Sequence, residues 1–227
     1  PQALRDATAG LQILDGAEET CSVGLRAQLL AFRSTVRMAQ QRPMETLRLA
    51  EEAVRCAEVS DEDAALARAY ANIDWANFVT GQPERATNSP RSVEIYESLG
   101  MLDRAADVLN NMGGFAYYMG DWNESFRRIS ESRQMSLRAG NDVQAAMAGV
   151  NLGELLVSQR KLDEAAPILE ESIRTLRAAG DRDNAVNAEL QQARLLAAGG
   201  DDEGARVLLR QVVDEALELG QIQFAYE

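Results

Sequence analysis

A chain of 227 residues suits one large domain or two small ones, and its 46% hydrophobic content suffices for a core, yet only 5% is aromatic and alanine is abundant. That mix favours closely packed helices over a β-sandwich. With 36 acidic against 23 basic residues the net charge is −13, which disfavours a nucleic-acid backbone or an anionic membrane surface as partner, and the absence of histidine excludes a triad hydrolase and a histidine-bound metal centre.

From the start, Pro1-Gln2-Ala3-Leu4-Arg5 shows neither the basic n-region nor the apolar h-region of a signal peptide. No stretch approaches the roughly 18 apolar residues that span a bilayer. Cys21 and Cys56 lack metal-motif spacing and are too few for a disulfide framework, so both read as reduced thiols. These readings predict a cytoplasmic protein.

Glycine closes apolar stretches at Gly100, Gly140, Gly180 and Gly220, each 40 residues after the last, with Ser60 at the equivalent point one repeat earlier. The chain therefore divides into blocks 21–60, 61–100, 101–140, 141–180 and 181–220 of one repeat domain spanning 1–227, with no net insertion or deletion. Residues 1–20 read as the tail of an earlier block and 221–227 as the start of a further helix. A second break lies near the middle of each block: Gly120-Asp121, Arg160-Lys161 and Gly200-Asp201 share one column, and Gly81-Gln82-Pro83 is displaced by one residue. Apolar spacings of three and four on either side make each block an A helix, a tight turn, a B helix and a tight turn, capped by Asp or Asn at the starts and Gly at the ends.

In block 21–60, Arg33 occupies the A-helix position where later blocks carry a small residue, and Pro43 falls in or near the first turn of the B helix. In block 61–100, Pro83 lies likewise, but Pro90 sits inside the B helix. A break is expected there, with Ser89 as N-cap and Pro90 as N1 of a shorter helix running to Leu99. Gly113, Gly153 and Ala193 form one column of the A helices, and Ser125, Ala165 and Ala205 one column of the B helices. Side chains this small let paired helices approach closely, with Leu109, Met112, Leu152 and Leu155 filling the space beside Ile129, Leu169 and Leu209. Gly113-Gly114 reads as a helix-packing pair rather than a nucleotide turn. Trp122, just after an A–B turn, is expected in the core. Pro167 falls in or near the first turn of its B helix. Adjacent acids such as Glu51-Glu52 point in different directions on a helix and form no acid–base dyad, while Asp201-Asp202-Glu203 suits a helix start. No nucleophile–base pair or phosphate loop emerges, so the chain reads as non-enzymatic and needing no cofactor or metal.

The segments VLNNMGGFAYYMGDWNES (108–125) and GVNLGELLVSQRKLDEAAPIL (149–169) resemble tetratricopeptide repeats of the 40-residue kind. The resemblance implies an all-α, right-handed superhelical solenoid of antiparallel helix pairs, because a lone pair cannot bury both of its apolar faces. The stretch from Asn72 to Gly100, with the following DVLNNMGGFAYYMGDW, is similar to the repeat region of bacterial proteins that join a class III nucleotide cyclase or a transcription regulator to a signalling ATPase. In those the repeats are regulatory.

The resemblance also implies that A helices line a concave face. The residue two before the small column reads Asn72, Asn111, Asn151 and Gln191, at spacings of 39, 40 and 40. Each carboxamide offers a donor and an acceptor to a peptide main chain. In related repeats, asparagines at this position resemble those that hold a bound peptide. The alternative is that they bond a neighbouring helix or cap a turn. The same face is expected to carry Asp107, Asn110, Tyr117, Tyr118, Glu154 and Arg194, with Trp75 and Phe78 at one end and one of the two adjacent tyrosines turned away. Since only Arg194 fits a carboxylate clamp, a basic or uncharged ligand is favoured. The expected partner is a protein or peptide, with another domain of the same polypeptide among the candidates, and neither nucleic acid nor membrane. Self-association through an open solenoid end, as a homodimer, is the alternative.

Overall fold

In the computed structural model, described over residues 5, 9, 10 and 21–220, tight turns punctuate the chain at nearly constant intervals. Left-handed residues stand at Gln41, Asp61, Gly81, Gly100, Gly120, Gly140, Arg160, Gly180, Gly200 and Gly220, every 20 residues except for one 19-residue step between Gly81 and Gly100. Glycine dominates this set because the conformation penalises a Cβ. Between the turns run α1 (Cys21–Ala39), α2 (Pro43–Ser60), α3 (Asp63–Val79), α4 (Ser89–Ser98), α5 (Leu102–Tyr118), α6 (Trp122–Arg138), α7 (Asp142–Ser158), α8 (Leu162–Ala179), α9 (Arg182–Gly199) and α10 (Asp202–Glu218). No strand occurs among the described residues, so the architecture is all-α. Odd-numbered helices are A helices and even-numbered ones B helices, antiparallel across their short connections. The expectations for 1–20 and 221–227 otherwise fall outside the described residues. The chain divides into two compact units, Pro1–Asn111 and Met112–Glu227.

Asp121, Asn141, Asp181 and Asp201 cap their helices by accepting from the backbone N–H three residues on. Pro43 opens α2 as expected, but Pro167 lies beyond the first turn of α8 and removes one ladder hydrogen bond.

The turn spacing corrects the repeat register. Ser60 ends α2, and Asp61 takes the left-handed conformation in its place. The missing residue therefore belongs to the B half of the second pair, and everything before it shifts by one. The small column then reads Ser34, Asp74, Gly113, Gly153 and Ala193, so the first pair does have its small residue, the buried Ser34, and Arg33 is its neighbour.

In the first unit, Ala27, Leu30 and Ala31 of α1 pack with Leu49, Ala50 and Ala53 of α2 and Ala65 and Ala69 of α3. The second pair departs from the repeat. Its B half begins as a 3-10 turn, Pro83–Arg85, and resumes as α4, one residue earlier than expected, with Asn88 at the N-cap position and Pro90 in the first turn. The fully buried Asp74 of α3 holds this break: its carboxylate accepts from the Ser89 backbone N–H at 2.5 Å and from Asn88 Nδ2 at 2.8 Å. Ser92 Oγ adds a bond to the Ala67 carbonyl at 2.7 Å.

In the second unit, Ile129 and Leu169 pack with Leu152, Leu156 and Ala165. A Cβ on Gly113 would stand 2.5 Å from Ile129 Cγ1, and one on Gly153 would overlap Leu169. Gly114 has no neighbour within 4 Å of such a Cβ, so only the first glycine of that pair serves packing. Two expectations of core burial fail. Trp122 is 43% exposed, because helical side chains lean toward the N-terminus and at the first position of α6 the indole leans past the helix end. Leu209 is 38% exposed, because α7 and α9 cover Ile129 and Leu169 while no described helix follows α10.

Candidate docking face on the A helices

The carboxamide column splits into different environments. Asn72 is only 4% exposed, and its amide nitrogen donates to Ser34 Oγ at 2.6 Å and Thr35 Oγ1 at 3.0 Å on α1. Both of its protons are thereby spent on the neighbouring helix. Asn72 is a cross-link between α3 and α1, which removes it from the expected peptide contacts. Trp75 and Phe78 on α3 and Asn110 on α5 are half-buried, and Asp107 and Asn111 are exposed.

In the second unit, polar side chains bridge successive A helices. Tyr117 Oη of α5 lies 3.0 Å from Ser158 Oγ of α7. Arg194 Nη1 of α9 donates to Glu154 Oε1 of α7 at 3.1 Å and to Gln191 Oε1 at 2.9 Å. Gln191 is 4% exposed and orients Arg194 rather than presenting its own amide. Asn151 and Glu154 are half-buried and Arg194 is exposed. The Tyr117 and Tyr118 rings meet edge to face with centroids 5.6 Å apart, Tyr117 half-buried and Tyr118 77% exposed. These bridges fix the rotamers of the side chains that make them.

Ser158, Thr35 and Asp74 take part in these contacts and escaped the sequence reading. The first two stand in register with positions already read as inward-facing, a signal available once the turn spacing is known. Asp74 gave no such signal, since a carboxylate at a core position takes its meaning from the helix break 15 residues later.

Ion pairs brace the far end of the second unit. Arg177 of α8 bonds Glu189 of α9 and Glu215 of α10 at 2.6–2.9 Å, and Arg182 bonds Glu215 and Glu218. Hydrogen bonds from Arg177 and then Arg182 pull the Glu215 carboxyl down to about 2. Burial pushes the half-buried Cys56 thiol up, which favours an unreactive thiol; the Cys21 side chain lies outside the described residues. Among the described residues no His, Cys, Asp and Glu cluster could hold a metal, and no helix is long and apolar enough to cross a membrane.

Residues 103–178 match the family model described as tetratricopeptide repeat. No curated protein sequence matches the chain. Among solved structures, aspartyl phosphate phosphatase F from Bacillus subtilis is similar at 12% identity and a TM-score of 0.74, over 90% of this chain and 54% of its own. A Rap protein complexed with Competence and Sporulation Factor is similar at 15% identity and 0.75, over 98% of this chain and 66% of its own. A Signal Transduction ATPase with Numerous Domains from Pyrococcus horikoshii, with a tetratricopeptide repeat sensor, is similar at 13% identity and 0.73, over 91% of this chain and 32% of its own. The chain thus spans 32–66% of the length of these structures.

Proposed function

The chain contains a tetratricopeptide repeat domain, and from that premise we propose that it is a protein- or peptide-binding regulatory module of a larger cytoplasmic signalling protein. The A-helix face of the second unit is the docking surface, with Tyr117, Asn151, Glu154 and Arg194 as its polar contacts and Tyr118 as an aromatic anchor. Gln191 acts through Arg194. The observation that carries this reading is the pair of helix-to-helix bridges, Tyr117–Ser158 and Glu154–Arg194, which preorganise half-exposed polar groups on α5, α7 and α9. Two structural likenesses support it: one similar structure is a complex with Competence and Sporulation Factor, and another carries its tetratricopeptide repeats as a sensor. The occupant is an extended segment or a partner helix, supplied by another protein or by a further domain of the same polypeptide.

The test is selection of ligands from a displayed library of random twelve-residue peptides, followed by calorimetry on the purified chain. Replacing Tyr117 and Arg194 by Ala is expected to weaken the selected peptides at least about tenfold, with helicity unchanged. Peptides that bind equally to the double variant would remove this face from the reading. A dimer that resists dilution in light scattering, with no peptide selected, would favour self-association instead.

A further inference from the structure

One B-helix column is broken by a single residue. Seven residues before the left-handed residue that closes each B helix stand Val54, Val93, Arg133, Ile173 and Val213. Three of the four aliphatics in this column pack inward: Val54 lies against the first core, Val93 is buried, and Ile173 lies against Ala185 and Ala188. Arg133 cannot follow, because its guanidinium must stay hydrated or paired. Instead it reaches across to α8, where Nη2 bonds Glu171 Oε2 at 2.7 Å. Behind it a cleft of about 240 Å³ opens between α6, α7 and α8. Leu137, Ala145 and Ala146 give it an apolar lining, and Asp142, Glu171 and Arg133 stand on its walls. The side with Gly149 is tightly closed, since a Cβ there would overlap Ser172 Oγ, and that hydroxyl is already spent on the Ile168 carbonyl at 2.8 Å.

We propose that this cleft receives a lysine side chain of a protein partner. Drug-sized ligands fill roughly 300–1,000 Å³, so the space suits one side chain rather than a cofactor. The methylene stem lies along Leu137, Ala145 and Ala146. The ammonium sits between Asp142, which has no ion pair among the described residues, and the Glu171 oxygen that Arg133 leaves unused. Two carboxylates against one guanidinium leave the cleft with net negative charge, which selects a cation over an anion. The site is built from the B helices and the first turns of α7. It does not depend on the A-helix docking reading and stands if that reading fails.

The experiment is an amide NMR titration of the isotope-labelled chain with Nα-acetyl-lysine N-methylamide, and with the norleucine and glutamate analogues as controls. Capped lysine is expected to give saturable shifts at Leu137, Ala145, Ala146 and Thr175, while norleucine, with the same stem and no charge, binds at least about tenfold more weakly. Asp142→Asn, which leaves the cleft's shape intact, is expected to weaken capped lysine about threefold or more without a change in Tm. Equal or unsaturable responses to lysine and norleucine would overturn the proposal. An Asp142→Asn chain that binds as well as the parent would also refute the role of charge.

Discussion

The second and fourth helix pairs meet one packing requirement in opposite ways. In the fourth, Gly153 contributes no side chain, so α8 runs unbroken against α7 with Leu169 filling the space. In the second, the same column holds Asp74, too polar to face an intact helix. The B half is unwound opposite it, and the carboxylate caps the helix that restarts at Ser89. A buried acid and a shortened helix are each unfavourable alone, and together they satisfy one another. A repeat position thus specifies a small volume at the seam, and the chain can meet it by omitting a side chain or by rebuilding the partner.

The strongest way to break this comparison is Asp74→Ala. Two donors, the buried Ser89 N–H and the half-buried Asn88 Nδ2, lose their acceptor, and a loss of about 2–4 kcal/mol in urea unfolding is expected. Asp74→Asn, which keeps one acceptor oxygen, should lose less; equal losses would mean that the carboxylate's volume matters and its bonds do not. Next comes Gly153→Ala, where the new methyl meets Leu169 and overpacking is expected to remove about 1–3 kcal/mol. The same change at Gly114, with no neighbour in reach, should leave the midpoint where it was or raise it slightly.

The carboxamide column sharpens the contrast further. Asn72→Ala strips a buried cross-link and should lower stability by about 1–2 kcal/mol. Asn151→Ala, at a half-buried position, is expected to cost less than Asn72→Ala and to act on peptide binding. Thermal melts of both variants beside the parent would expose any reversal of that order. A further contrast concerns acid. Because the Glu215 carboxyl is held near 2 in the folded chain, its stabilisation is complete above the ordinary carboxyl range near 4.5 and is lost as pH falls toward 2. Between pH 5 and 2, the parent's Tm is expected to fall about 2–3 °C more than that of Glu215→Gln. Parallel curves would remove Arg177 and Arg182 as its partners.

Much of the fold was legible because turns and small residues obey local rules. Glycine in the left-handed turns, Gly113 and Gly153 at the helix crossings and the break around Pro90 follow from backbone sterics that involve few neighbours. The register before Gly81 was not legible, because Gln41 and Asp61 adopt the left-handed conformation without being glycine. Nor was the fate of the carboxamides. Asn72 meets the Ser34 and Thr35 hydroxyls of the preceding A helix and is consumed by them, a pairing across some 40 residues that no local pattern announces.

The amino-acid order by itself determined that this protein is a run of helix pairs with closely spaced seams, since periodicity, turn residues and residue size act over a few positions at a time. Which polar groups remain half-exposed on α5, α7 and α9, which are spent between helices, and where a cleft opens behind Arg133 were decided only in three dimensions. The reason is that a hydrogen bond or a cavity depends on what a second helix, some 40 residues away, places opposite.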